Sequence, residues 1–159
     1  MKRINIICVS ENLNKLNQLI EDLRFFSQGF NIEICQSALE CMALLEDIEV
    51  ESKLVALVIA DQFMLGKTGM ELLSDIETDN RFLGTKKLLL AGSSNLVDII
   101  NAMGQSKLDH FLEGDYQTRE LVKTAQELIS QYTIENDLEI DGYSDTLDNK
   151  TLSRFPLYS

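Results

Sequence analysis

The sequence predicts an α/β fold: a doubly wound, five-stranded parallel sheet of (βα)5 type with strand order 2-1-3-4-5. Three observations carry that expectation. Short apolar runs of strand length alternate with helical patterns along most of the chain. The third and fourth runs are apolar throughout, as central strands covered on both faces must be. At 159 residues, with 45% hydrophobic and 25% charged content, the chain is long enough for one compact core and short for two.

The elements follow in order. The run at 4–10 (INIICVS) reads as a strand, and in the helix after it Leu13, Leu16, Leu19, Ile20 and Leu23 recur at spacings of three and four. Residues 31–37 (NIEICQS) alternate apolar and polar, and 38–48 returns to helical spacing. The pair repeats at 54–61 (LVALVIAD) before TGMELLSDIE, and at 86–92 (KKLLLAG) before NLVDIINAMG. A last pair comes at 108–114 (LDHFLEG) and 117–132, where Leu121, Val122, Ala125, Leu128, Ile129 and Tyr132 form one stripe. Strands joined through helices run parallel, and right-handed crossovers place helices on both faces of the sheet. Ligands of such sheets bind outside the carboxyl ends of the strands, where strand order reverses.

Beyond residue 134 the periodicity fails. Residues 135–159 carry six acids and the chain's one proline, Pro156, and read as an acidic C-terminal extension, either docked on the domain of residues 1–134 or disordered. Asp141, Asp145 and Asp148 there do not match the spacing of a calcium loop. With 26 acidic against 14 basic residues the formal charge is -12, which repels phosphate backbones and anionic headgroups, so neither nucleic acid nor membrane is an expected partner. The opening MKRINIICVSEN lacks the apolar stretch of a secretion signal, and a cytoplasmic protein is expected. Cys8, Cys35 and Cys41 lie within apolar patterns without metal-ligand spacing, and read as buried thiols packing as small hydrophobes.

One stretch singles out a candidate site. In ALVIADQFMLGKTGMELL (56–73) an apolar strand runs directly into Asp61, and two glycines intervene before the helix resumes. In the order 2-1-3-4-5 the end of the third strand neighbours the end of the first, which places Asp61 beside Ser10 and Glu11 at the switch point. The bland alternative is that Asp61 caps a helix or shapes a turn. Gly66 and Gly69 read as turn residues; no glycine-rich dinucleotide or P-loop pattern is present, and VSENLNKL after the first strand argues against a flavodoxin-like cofactor binder.

DQFMLGKTGMELL resembles the receiver domain of two-component response regulators, and the likeness extends over roughly residues 3–134. Asp61 stands at the phospho-accepting position; Met64, Gly66, Gly69, Leu72 and Leu73 match the pattern, and Leu65 replaces a proline. The resemblance implies an Mg²⁺ site built from two acids after the first strand plus the acceptor, because a hard cation prefers oxygen ligands. Here that set is Glu11, Asp61 and the backbone carbonyl of Phe63, with Ser10 in place of the first acid, so the expected metal site is weak. By count from Asp61, the hydroxyl position of the fourth strand falls at Ala91 and the lysine position of the fifth at Glu113. A shifted alignment offers Ser93 or Ser94 as hydroxyl donors, but no shift recovers a lysine. A Glu113 turned into the pocket would repel Asp61 by roughly 1 to 4 kcal/mol at about 4 Å; turned to solvent it would not. His110 falls on the family's switch position, and its plainer reading is a surface histidine at the sheet edge.

Two functions follow from the resemblance. One is an atypical response regulator, a pseudo-receiver that signals through protein contacts and is only weakly phosphorylated on Asp61. The other is a working Mg²⁺-dependent phosphoacceptor served by a histidine kinase. In either case the chain is expected to be a signalling module rather than an enzyme. Its expected partners are a histidine kinase or another signalling protein, or a second copy through the face of the fourth helix, fifth strand and fifth helix.

Overall fold

The structure is a computed structural model and describes residues 4–92, 96–105 and 108–138. Its elements run β1 (Ile4–Val9), α1 (Leu13–Asp22), a 3₁₀ turn (Arg24–Gln28), β2 (Phe30–Cys35), α2 (Ala38–Val50) and β3 (Leu54–Asp61). Next come α3 (Gly69–Glu77), a second 3₁₀ turn (Asn80–Phe82), β4 (Lys86–Gly92), α4 (Leu96–Gly104), β5 (His110–Glu113) and α5 (Thr118–Glu135). The five strands pair in parallel in the order β2-β1-β3-β4-β5, as the alternation of runs and helices requires.

Alternation along the strands divides the core into two layers. Ile6, Cys8, Leu57, Ile59, Leu88 and Leu90 face α1 and α5, meeting Leu16, Leu19, Leu121, Ala125 and Ile129. Ile7, Val9, Val58, Ala60, Leu89 and Ala91 face the other way, against Cys41, Leu45, Leu72, Ile76 and Ile99. Because side chains alternate, Asp61 follows Ala60 onto the α1 side, and Ser10 follows Val9 onto the same side. That parity decides which helix can reach the site.

The sequence periodicity overran the first helix. The α-helix stops at Asp22, where the Leu23 amide turns back onto the Leu19 and Glu21 carbonyls, and the chain tightens into the 3₁₀ turn that buries Phe26. Adjacent Phe25 and Phe26 cannot both lie on one helical stripe, so Phe25 stays partly exposed and packs edge-on to Phe26. The fifth strand is shorter than its apolar run; just ahead of it the Asp109 carboxylate accepts the Lys87 amide at 2.8 Å, and the Asp109 amide donates to the Lys87 carbonyl at 3.0 Å. Lys87 itself is buried, and its ammonium is held by the Thr85 carbonyl at 2.8 Å, Glu77 at 2.5 Å and Asp109 at 3.5 Å.

All three cysteines are free and buried. Burial pushes the Cys8 thiol up to about 12, and a side-chain hydrogen bond between Cys41 and Cys35, followed by burial, raises Cys41, so neither is a thiolate at neutral pH. The last helix extends to Glu135, and Leu138 packs against the core. The greater part of the acidic extension, with Asp141, Asp145, Asp148 and Pro156, lies outside the described residues, as do Ser93 and Ser94. Among the described residues no helix is long and apolar enough to cross a membrane.

Candidate functional site

The carboxyl ends of β1 and β3 meet around Asp61, which is 3% exposed. A carboxylate so deeply withdrawn from water needs donors on both oxygens. The structure supplies them: Ser10 Oγ donates to Oδ2 at 2.9 Å, while Lys15 Nζ at 3.0 Å and the Phe63 amide at 3.2 Å both donate to Oδ1. At an effective dielectric near 20, an ammonium in contact with a carboxylate attracts it by several kcal/mol. Lys15 is therefore the strongest partner Asp61 has among the described residues, and the sequence reading did not include it.

Local bonds place that ammonium. Asn12 caps α1, its side chain accepting from the Lys15 amide at 3.2 Å, so Lys15 stands in the first turn of the helix on the Asp61 side of the sheet. The Asn12 amide donates to Ser10 Oγ at 3.1 Å, and Ser10 in turn donates to Asp61. Asp61, Ser10, Asn12 and Lys15 thus close a ring of contacts within the β1–α1 turn and the end of β3. The signal that could have found Lys15 was an Asn three residues before a basic residue at a helix start, read together with strand parity.

Two glycines shape the walls. A Cβ on Gly69 would stand 2.4 Å from the Asp61 carbonyl oxygen, so only glycine lets α3 start this close to the strand end. Gly92 has φ +59°, and a Cβ there would meet the Phe63 ring at 2.6 Å. The Thr68 and Glu71 capping box fixes where α3 begins. A groove of about 360 Å³ beside Lys15 is lined by Asp22, Leu90, Gly92, Asp115 and Tyr116. Burial, followed by the negative charges of Asp22 and Asp61, raises Tyr116 to about 12. A larger cavity of about 600 Å³ lies on the far side of the β3–α3 loop, among Phe63, Met64, Leu65, Met70 and Ile99, and Asp61 does not line it.

No family model matches the chain, and no curated protein does. Solved structures do. The adenylate cyclase structure from Rhodopirellula baltica is 21% identical, with TM-score 0.74, covering 86% of this chain and 94% of that one. The signal receiver domain of an HD-domain-containing protein from Pseudomonas fluorescens Pf-5 has the same identity and coverages, with TM-score 0.72. The CheY-like response regulator receiver domain protein from Methanospirillum hungatei JF-1 is also 21% identical, with TM-score 0.69, covering 84% of this chain and 99% of that one. The chain has the receiver fold.

Within the receiver fold, the sequence-selected residues do not all converge. Asp61 and Ser10 are in direct contact. Glu11 is exposed, and its carboxylate accepts from the Leu65 amide at 2.5 Å, across the β1–α1 and β3–α3 loops. Ala91 is buried in the layer facing α2, α3 and α4, and its methyl offers no hydroxyl. Glu113 follows buried Leu112 and is exposed. His110 is exposed at the start of β5 and stacks on Phe111 with ring centroids 6.3 Å apart.

The divalent cation implied by the receiver fold fits this arrangement poorly. Mg²⁺ demands near-octahedral oxygen donors and usually one or two free carboxylates. Here both oxygens of Asp61 already accept hydrogen bonds, one of them from an ammonium, Ser10 contributes no charge, and Glu11 is engaged by a backbone amide. Among the described residues no three His, Cys, Asp or Glu side chains gather as a metal site. Of the expected set, Asp61 is engaged by Ser10, Lys15 and the Phe63 amide, and Glu11 by the Leu65 amide.

Proposed function

We propose that this chain is a two-component signalling module of the receiver type, acting mainly through protein contacts, with phosphorylation of Asp61 weakened. One observation carries the reading: the acceptor carboxylate is buried and already neutralised by Lys15 at 3.0 Å, while Ser10 and the Phe63 amide also donate to it. Phosphoryl transfer to Asp61 requires a nucleophilic oxygen open to the donor and positive charge left over for the incoming phosphoryl oxygens. The resting pocket offers little of either.

The contact face in this reading includes α4, β5 and α5. Val97 and Ile100 of α4 are well exposed, and two such side chains on one helix are a sensible anchor for a second copy or for a kinase. A histidine kinase or another signalling protein is the partner class, and His110 on β5 lies on the same proposed face. Low net phosphorylation and a specific association are the joint expectation. The test pairs intact-mass analysis after incubation with acetyl phosphate and Mg²⁺ with sedimentation of the wild type and of Ile100→Glu. Rapid stoichiometric labelling of Asp61, or absence of both self-association and kinase binding, would overturn the proposal.

A further inference from the structure

We propose that Lys15 is the resident cation of the Asp61 pocket: a tethered ammonium that occupies the acceptor carboxylate in competition with any divalent ion. The inference rests on reading Asp61 as the acceptor position of a receiver fold. It adds how the site is regulated, through displacement of a side chain of the same chain.

The argument is one of charge and of construction. In a pocket of two neighbouring acids and the acceptor, three negative charges would need a divalent ion to hold them together. This pocket has lost one acid to Ser10, and a second, Glu11, is drawn onto the Leu65 amide. One buried carboxylate remains, and one ammonium balances it. A divalent ion entering there would carry excess positive charge beside Lys15, so the ammonium must leave first.

The ammonium is also held in place. Its helix starts at Asn12, which caps the Lys15 amide and donates its own amide to Ser10, the residue that binds the opposite oxygen of Asp61. Lys15 retains 29% side-chain exposure, which leaves it a path to swing out toward solvent without disturbing the core. Among the described residues Asp61 is its one ion-pair partner. A tethered charge at high effective concentration competes with millimolar free cation without needing a tight intrinsic affinity.

The test is Mg²⁺ titration of the full chain followed by amide NMR, on the wild type, Lys15→Met and Lys15→Arg. Methionine keeps much of the apolar stem and removes the charge; arginine keeps the charge. The expected result is a gain of roughly tenfold or more in Mg²⁺ affinity in Lys15→Met, with saturable shifts at Glu11 and Asp61, and no gain in Lys15→Arg. Equal affinity in the wild type and Lys15→Met, including no binding in either, overturns the proposal. Should Lys15→Met not fold, amine acylation read by mass spectrometry takes its place. Lys15 is then expected to react more slowly than exposed Lys123 in the wild type and to accelerate in Asp61→Asn. Equal rates for the two lysines in the wild type overturn it. Neither measurement reads association through α4, so the contact-signalling proposal and this one fail separately.

Discussion

Gly69 presses its α-carbon against the carbonyl of Asp61, so that a Cβ there would lie 2.4 Å from the oxygen and 2.8 Å from the carbon. Both atoms belong to backbone and cannot rotate aside. Gly69→Ala is therefore expected to push the start of α3 away from the strand end and to cost about 1–3 kcal/mol, as overpacking of a tight contact does. Urea unfolding measures the cost. An unchanged midpoint would mean that the β3–α3 loop shifts freely, contrary to the close approach described here.

Gly92 and Phe63 make a second pair that can be read as a cycle. The left-handed φ at Gly92 costs an alanine about 1–2 kcal/mol on its own, and the Phe63 ring lies where the new methyl would go. The ring is a side chain and can move. Gly92→Ala should consequently be more costly in the wild type than in the Phe63→Ala background, with a coupling of roughly 0.5–1.5 kcal/mol. Additive losses would show that the ring already yields without strain.

Ser10 tests how the buried carboxylate is satisfied. Ser10→Ala removes a hydrogen bond to a charged acceptor that is itself almost wholly withdrawn from water, and should cost roughly 1.5–3 kcal/mol. In Asp61→Asn the acceptor is uncharged, so the same Ser10→Ala change should cost less. Chemical denaturation of the four proteins gives the difference, and an equal loss in both backgrounds would contradict a charge-assisted bond.

The alkaline side of the stability profile carries a sign that can be checked. Tyr116 is raised to about 12, chiefly by burial and then by Asp22 and Asp61, so the folded state keeps the phenol proton more tightly than the unfolded chain does. Its contribution is fully present below about pH 10, the ordinary tyrosine value, and is lost as pH rises from there through about 12. Tyr116→Phe should flatten that decline in urea midpoints above pH 10. An undiminished slope would assign the alkaline loss elsewhere, with Cys8, also pushed up to about 12, as the next group to replace.

Much of this architecture was legible because its signals are local. The apolar run at 54–61 ends at Asp61 in the sequence and in β3 alike, and the run at 86–92 matches β4. Parallel order followed from the helices between the strands. Lys15 escaped notice because its role depends on two things that no short motif records: the capping of α1 by Asn12, and the parity that turns Asp61 toward α1. Glu113 was ambiguous for a related reason. A residue at a strand end points inward or outward according to where the ladder breaks, and the β4–β5 pairing shifts between Leu90 and Gly92. The Glu11 bond to Leu65 joins two loops distant in sequence, and only the folded chain brings them together.

The helix that closes the domain also sets where the rest of the chain begins. Glu135 pairs with Lys86 at 2.8 Å, at the entry of β4, and the Asn136 side chain lies against Gly84. Asp61 sits at the opposite pole, beyond the exit of the strands. An 18-residue helix is about 27 Å long. The C-terminal end of α5 and the Asp61 pocket are therefore separated by roughly the length of that helix, so a change at one reaches the other through the packed sheet and α5 rather than by direct contact.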